Sequence, residues 1–412
     1  MSLQDWGLLV IGFGGIIISA SGYGALLLSI VQRCFNKKLS LTSSEETFLS
    51  LPIGLGICSL LLLLVGLSGG LYPNIGWALT ITGVAVWGIL KLQHLSRPHL
   101  DKTNRSPSFS ILSALLMILW TGEALYTLIS HAFMPPHEWD EVAYHLALAK
   151  LYVSFHKIIY IPFIVQSNWP LNTEMLFSWG LLLGSDVISH LITWFMSVWT
   201  TYGLCLLGKN FLNERIGRLS AALFLTVPLV KRLSGTGLID VSLPFYGTAA
   251  LYCYCKYTQQ PSLGWVILCG LVSGFAAGSK LTGAAYIFLF CVLLILEFAI
   301  SKRDKQKQLV TASIVFVVVS LVTVSPWYIR SWVFTGNPFW PFFFEIFGGK
   351  NWDRLGTQNF LQGFEKTVKI VLPRNLWGLL SSLWYLFVFP HYLGGYRGGI
   401  GFVPLLLFVP AS

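Results

Sequence analysis

Long apolar runs, most of them near the length of a membrane span and almost free of charge, constrain this chain more than any other feature. They lie near 7–32, 48–68, 75–90, 109–130, 187–207, 238–255, 262–300, 309–329 and 376–390, with shorter pieces at 219–230 and 400–410. A hydrocarbon core takes about 20 apolar residues per helix, and the run 262–300 is long enough for two passes. The pattern predicts an all-α polytopic membrane protein with roughly 11–12 transmembrane helices. Only 11% of the residues are charged, against about 25% in soluble domains, which excludes an ordinary soluble enzyme. Runs without polar–apolar alternation exclude a β-barrel. Residues 1–6 hold no basic residue, so the first run reads as a true span and not as a cleavable leader.

The net charge of +10 does not indicate a nucleic-acid partner, because the basic residues sit in short connections between spans and so report topology. Lys and Arg outnumber acids at 33–46, 91–108, 208–218 and 301–308. Placing these four connections in the cytoplasm puts the N-terminus outside. The stretch 131–186 then lies outside, with Glu138, Asp140, Glu141, Glu174 and Asp186 against Lys150 and Lys157. The connections 231–240 and 330–375 share that face, although Lys231 and Arg232 run against the charge rule. The long, polar 331–375 connection suits a loop over a cavity.

Within the external stretch, residues 135–146 crowd three carboxylates and two histidines into a mostly hydrocarbon protein. Ionisable groups beside a bilayer are costly and mark function. Pro136 suits the first turn of a helix. On a helical wheel Trp139, Val142, Ala143, Leu146, Ala149 and Val153 share one arc, while His137, Glu138, Asp140, Glu141, Tyr144 and His145 take the other. The expectation is an amphipathic juxtamembrane helix with its acids turned to solvent or a cavity. A solvated polar face is one reading and a catalytic carboxylate cluster another; His137, Glu141 and His145 also have i, i+4, i+8 spacing for a metal. A carboxylate here can serve as general base toward a hydroxyl or hold a divalent cation against a phosphate leaving group.

The segment Trp139-Asp140-Glu141-x-x-Tyr144-His145-Leu146, with Lys150-Leu151-Tyr152 after it, resembles the first external loop of the GT-C membrane glycosyltransferases. The nearest branch is the bacterial family-39-like group, related to protein O-mannosyltransferases and aminoarabinose transferases. Further motifs follow in order: Ser167-Asn168-Trp169-Pro170 with Glu174-Met175-Leu176, Thr226-Val227-Pro228 into Gly237-Leu238-Ile239-Asp240, Gly278-Ser279-Lys280-Leu281-Thr282-Gly283, and Ser325-Pro326-Trp327-Tyr328-x-Arg330 with Thr335-Gly336-Asn337-Pro338. The likeness covers about 109–350. It implies a GT-C-type bundle that takes sugar from a polyprenyl-phosphate carrier and gives it to a lipid, glycan or protein acceptor. It also implies a multi-pass location in the bacterial plasma (inner) membrane, with the site on the periplasmic face. Asp140 matches the family's catalytic base, Glu141 stands beside it, and Asp240 matches a second acid. Asp140 and Asp240 are the candidate ligands for an implied divalent cation, Mg2+ or Mn2+. His145, Asn168, Glu174, Lys280 and Arg330 are the candidate substrate-binding residues, the last two for phosphate. Where aminoarabinose transferases carry an acid-Lys-Pro motif, this chain reads Asn168-Trp169-Pro170.

Each residue has a plainer reading beside this one. Asp240 can cap the helix that follows it, Lys280 can snorkel to the interface, and Arg330 can anchor a span end; His190 reads as helix surface. Trp340, Phe342 and Phe343 are candidates for a polyprenyl tail. Gly270, Gly274 and Gly278 read as a helix-packing ladder. The seven cysteines, in no zinc-type spacing, read as packing residues. The chain divides into a three-span extension (1–108), a catalytic core (109–350) holding the external loop 131–186, and the external loop end with C-terminal spans (351–412), whose end inside a short apolar run fits either a natural short form or a truncated chain. A transporter or flippase of lipid-linked glycans is the alternative function; it predicts internal repeats and helices broken at mid-membrane, and no convincing repeat is found. The residues leave the sugar, the acceptor and the oligomeric state open.

Overall fold

Apolar segments with capped ends build the observed architecture, a bundle of helices. A computed structural model describes residues 3–35, 39–95 and 111–367, together with 375, 377, 378 and 381, and no strand occurs among them. The helices are α1 (Leu3–Phe35), α2 (Ser43–Leu67), α3 (Pro73–Leu95), α4 (Ile111–Thr127), α5 (Leu146–Ser154), α6 (Asn172–Leu182), α7 (Val187–Phe211), α8 (Glu214–Thr226), α9 (Pro228–Leu233), α10 (Ser242–Gln259), α11 (Leu263–Ser279), α12 (Ala284–Ile300), α13 (Arg303–Thr335), α14 (Phe344–Phe347) and α15 (Arg354–Thr367). Seven segments among the described residues are long and apolar enough to cross a membrane: Asp5–Phe35, Ser43–Leu67, Pro73–Gln93, Ile111–Ala132, Val187–Phe211, Leu281–Ile300 and Arg303–Thr335. The other runs expected within 187–330 form the shorter helices α8, α10 and α11, broken by Pro228 between α8 and α9 and by polar turns elsewhere. The spans expected at 376–390 and 400–410 fall outside the described helices.

Local chemistry sets the helix ends. Thr42 and Glu45 form a reciprocal capping box at the start of α2, with Thr42 N donating to Glu45 Oε2 at 2.7 Å. Asn213 caps α8 through Ile216 N at 2.8 Å. Gly336, at φ +79°, ends α13 in the left-handed conformation that glycine adopts without strain.

Glycines set the closest helix approaches. Gly24 on α1 and Gly54 on α2 face each other's helices so closely that a Cβ on either would run into the opposing backbone. The ladder Gly270, Gly274 and Gly278 seats α11 on α13, where added Cβ atoms would meet Phe316 O at 2.9 Å, Thr323 Cβ at 2.5 Å and Trp327 at 3.1 Å. This is the packing role the spacing predicts. Cys58, Cys253 and Cys269 are buried within the bundle.

Helix directions alternate, so the ends sort by charge. One end gathers 131–145, the starts of α6 and α7, the 234–241 turn, Lys280 and the last turns of α13. The other gathers Lys209, Arg215, Lys256 and the start of α13 at Arg303. At this second end Lys256 pairs with buried Glu45 at 2.8 Å, joining α10 to α2.

Candidate active site

The acid-rich segment does not form the expected surface helix. It becomes helical at Trp139 instead of Pro136, and Glu141–His145 is a π-turn whose end is closed by Leu146 N bonding to Glu141 O. Such turns recur at functional sites. Widening the turn breaks the 100° wheel on which the two faces rest. Trp139 and Val142 stay exposed, as does Asp140, but Glu141, Tyr144 and His145 turn into the protein beside buried Leu146 and Ala149. Half of the expected polar face is thus interior.

Asp140 and Glu141, adjacent in sequence, therefore have different surroundings. The Glu141 side chain is fully buried and accepts from Gly237 N at 2.8 Å, His137 N at 3.2 Å, Glu138 N at 3.3 Å and His190 Nε2. Burial works to raise its pKa, but the His190 bond and charge and the Gly237 and Glu138 N–H groups outweigh it and hold the carboxyl below its ordinary range. Gly237 must be glycine here, since a Cβ would stand 2.6 Å from Glu141 Oε1. His190 is not helix surface: it is 2% exposed, with Nδ1 3.3 Å from Ala132 O and Nε2 on Glu141. Its signal in the sequence was its place one turn into an apolar helix on the acidic side.

The folded-state pKa of Glu141 lies below the unfolded one, so the stability it contributes is present above the unfolded value of about 4.3. That stability is lost as pH falls through the depressed folded value. Melting of the purified protein is expected to weaken through that acid window, and Glu141→Gln to flatten this part of the profile. A profile identical in the variant would show that Glu141 is not the responsible group.

Asp140 borders Tyr144, whose hydroxyl is raised above its usual range first by burial, then by the charge and hydrogen bond of Asp140, then by Glu174 and Asp240. One phenol thus lies within reach of three acids from three segments. Asp240 does not cap α10: that helix starts at Ser242, its N-cap residue is Val241, and no side chain caps it. Instead Asp240 Oδ1 accepts from Lys280 Nζ at 2.5 Å, with both side chains about one-third exposed. Lys280 therefore points at a carboxylate instead of simply snorkelling.

Beneath Tyr144, His145 Nδ1 lies 2.7 Å from Glu174 Oε1, both buried. Glu174 Oε2, Asn168 Oδ1 and Trp169 Nε1 are buried without a partner. Arg330 is 2% exposed and donates through Nη2 to Trp169 O at 2.5 Å, its guanidinium 5.2 Å from the Trp327 ring. Its Nε and Nη1 have no partner. Buried polar groups are nearly always satisfied, and Arg330 also lies within hydrogen-bonding reach of the Tyr152 hydroxyl and charge reach of Glu174.

The His137/Glu141/His145 stripe does not converge. The His137 ring turns to Pro135 O, Glu141 to His190 and His145 to Glu174. Among the described residues no group of three or more His, Cys, Asp or Glu forms a metal site. Asp140 and Asp240 remain as two carboxylates, one already neutralised by Lys280. They fit a cation only where phosphate and water complete its shell.

The basic residues that run against the charge rule are paired locally. Arg232 grips Glu138 through two bonds of 2.9 and 2.6 Å, and Lys231 meets Glu123 at 2.7 Å. The Arg232 bond, ahead of the cost of burial, holds Glu138 below its ordinary range. The 331–375 connection is partly helical, in α14 and α15. Its aromatic residues lean on the site: Phe360 lies 6.2 Å from Trp169, and Trp340 Nε1 donates to Val165 O at 3.2 Å. Trp340 is 3% exposed and therefore anchors the loop, whereas Phe343 is open. An apolar cavity of about 590 Å³ between α12 and α13, lined by Ala277, Ala284, Phe288, Tyr328 and Phe339, flanks the Lys280 turn. Another of about 480 Å³, between α4, α7 and α8, is lined by Trp120, Trp199 and Arg218 and lies away from these acids.

A helical bundle with seven segments long and apolar enough to cross a membrane, and with acids gathered at one end beside buried Arg330, defines the class: an integral, multi-pass membrane protein. The sequence profile of the dolichyl-phosphate-mannose-protein mannosyltransferase family matches residues 177–329. The match is to a glycosyltransferase family and agrees with the likeness to GT-C membrane glycosyltransferases over that stretch. The matched stretch holds His190, Asp240 and Lys280 but not Asp140, Glu174 or Arg330. An uncharacterized protein of Shigella flexneri is 26% identical over 195 residues, 47% of this chain and 92% of its own. No solved structure matches.

Proposed function

We propose that the chain transfers a sugar from a polyprenyl-phosphate carrier to a hydroxyl acceptor at the membrane surface, with Asp140 as general base. The observation that carries this reading is the gathering of Asp140, Glu174 and the Asp240–Lys280 pair around Tyr144, with buried Arg330 beside Glu174. Asp140 takes the acceptor's proton as its oxygen attacks the anomeric carbon. The carbon–oxygen bond to phosphate breaks and its electron pair leaves on the polyprenyl phosphate. Lys280 and Arg330 hold that growing charge, and the α12–α13 cavity takes the lipid tail. Asp140 and Asp240 would be the residues to hold a divalent cation, which would supply Lewis-acid stabilisation of the leaving phosphate. The acceptor is a lipid, glycan or protein hydroxyl.

Among the described residues, Lys209, Arg215 and Arg303 of the basic connections lie at the end opposite the site. By the positive-inside rule this supports an extracytoplasmic site, and in a bacterium the periplasmic face of the inner membrane. Turnover of lipid-linked sugar by purified protein tests the function. Vectorial movement of the lipid without transfer would favour a flippase instead.

Arg330→Gln removes a charge-assisted set worth about 1.5–3 kcal/mol. It is expected to raise the KM for the lipid-linked donor roughly tenfold to a hundredfold, at about 1.4 kcal/mol per tenfold. A donor KM unchanged by Arg330→Gln would remove Arg330 from the phosphate role.

A further inference from the structure

The three helices before residue 109 lie outside the stretch matched by the family profile, yet they hold the elements that carry Glu174 and Lys280. Ser59, buried in the middle of α2, donates through Oγ to Asn172 Oδ1 at the start of α6. Asn172 Nδ2 in turn donates to Phe275 O on α11 at 3.4 Å. Glu174 follows Asn172 by two residues, and Lys280 follows Phe275 by five. Gly56, one turn before Ser59, lets the Phe275 ring lie directly on α2, where a Cβ would collide with it.

The other end of α6 is held too. Trp179 Nε1 lies 3.1 Å from both Gly76 O and Thr80 Oγ1 on α3. The loop before α6 is pinned by Ile158 N to Gly66 O at 2.9 Å and Leu71 N to His156 O at 3.1 Å. Tyr72 stacks on His156 with ring centroids 4.0 Å apart.

We infer that α2 and α3 act as a positioning frame for the site, with Ser59 setting the register between the Glu174 helix and the Lys280 helix through Asn172. Removing the Ser59 hydroxyl leaves the buried Asn172 carbonyl without its donor. The first turn of α6 is then free to shift against α11, and Glu174 shifts with it. A displacement of about 1 Å is enough to cost roughly a hundredfold in rate. The inference rests on the glycosyltransferase reading of the site.

The experiment compares four variants of the full chain, assayed with a polyprenyl-phosphate sugar and by thermal melting. Ser59→Ala is expected to lower kcat about tenfold to a hundredfold with donor KM little changed, and Ser59→Thr, which keeps the hydroxyl, to recover most of it. Thr201→Val removes the hydroxyl that accepts from Trp120 Nε1 at 2.8 Å between α4 and α7, outside the α2–α6–α11 chain of bonds, and is expected to match the parent in kcat. Parent-like kcat in Ser59→Ala overturns the inference. So does a loss that only follows the folded fraction, as any structural hydroxyl would give. Asp140→Asn separates the two claims: undiminished transfer there sinks the reading of the site, whereas inactive Asp140→Asn beside fully active Ser59→Ala sinks this inference alone.

Discussion

Asp140→Asn is expected to lower kcat for transfer from a lipid-linked sugar by about 10²–10⁴-fold, the usual contribution of a positioned general base. Binding of the donor and the melting temperature should stay close to the parent. The reason is its environment: Asp140 is exposed and bonds the Tyr144 hydroxyl, and an amide oxygen in its place can still accept that bond. Exposed substitutions of this kind usually change stability by no more than about 0.5 kcal/mol. Turnover in purified protein, with donor binding measured on the same sample, checks the prediction. Undiminished turnover would falsify the assignment of Asp140 as base.

Glu141→Ala should do the opposite, costing fold before chemistry. It strips the acceptor from His190 and from the backbone N–H groups of His137, Glu138 and Gly237, all around a fully buried carboxylate. Breaking a buried pair from one side costs about 3–5 kcal/mol, a large share of a marginal stability of about 5–15 kcal/mol. The expected result is a strong drop in melting temperature or in recovered folded protein, with Glu141→Gln intermediate because an amide still accepts one bond. A stable, folded Glu141→Ala protein lacking only turnover would instead place Glu141 among the reacting groups. The contrast between neighbouring acids is the sharper test, because sequence proximity treats them alike.

That contrast shows where the sequence could be read and where it could not. The family resemblance points to Asp140 and Asp240, residue type and place point to Lys280 and Arg330, and each lies at the acid-bearing end of the bundle. The assumption that failed was a regular helix from Pro136. The π-turn at Glu141–His145 depends on Glu141 finding Gly237 and His190, which lie 96 and 49 residues away. The capping role offered for Asp240 failed for a similar reason, since Lys280, 40 residues on, competes for the same carboxylate. His190 passed as helix surface because a histidine in an apolar helix carries no local sign of its partner.

The apolar runs by themselves determined a helical membrane protein. Hydropathy is a property of each segment, and a segment in lipid must satisfy its own backbone, which leaves the helix as the answer. The charge of the connections likewise sorted the two ends. Only the tertiary structure decided what the acid-rich segment is. It left Asp140 open beside Tyr144, turned Glu141 inward as a fastening, and set the N-terminal helices behind Glu174. Those outcomes depend on which distant groups meet in a water-poor interior, where an unpaired polar atom is costly and each carboxylate settles on the partners within its reach.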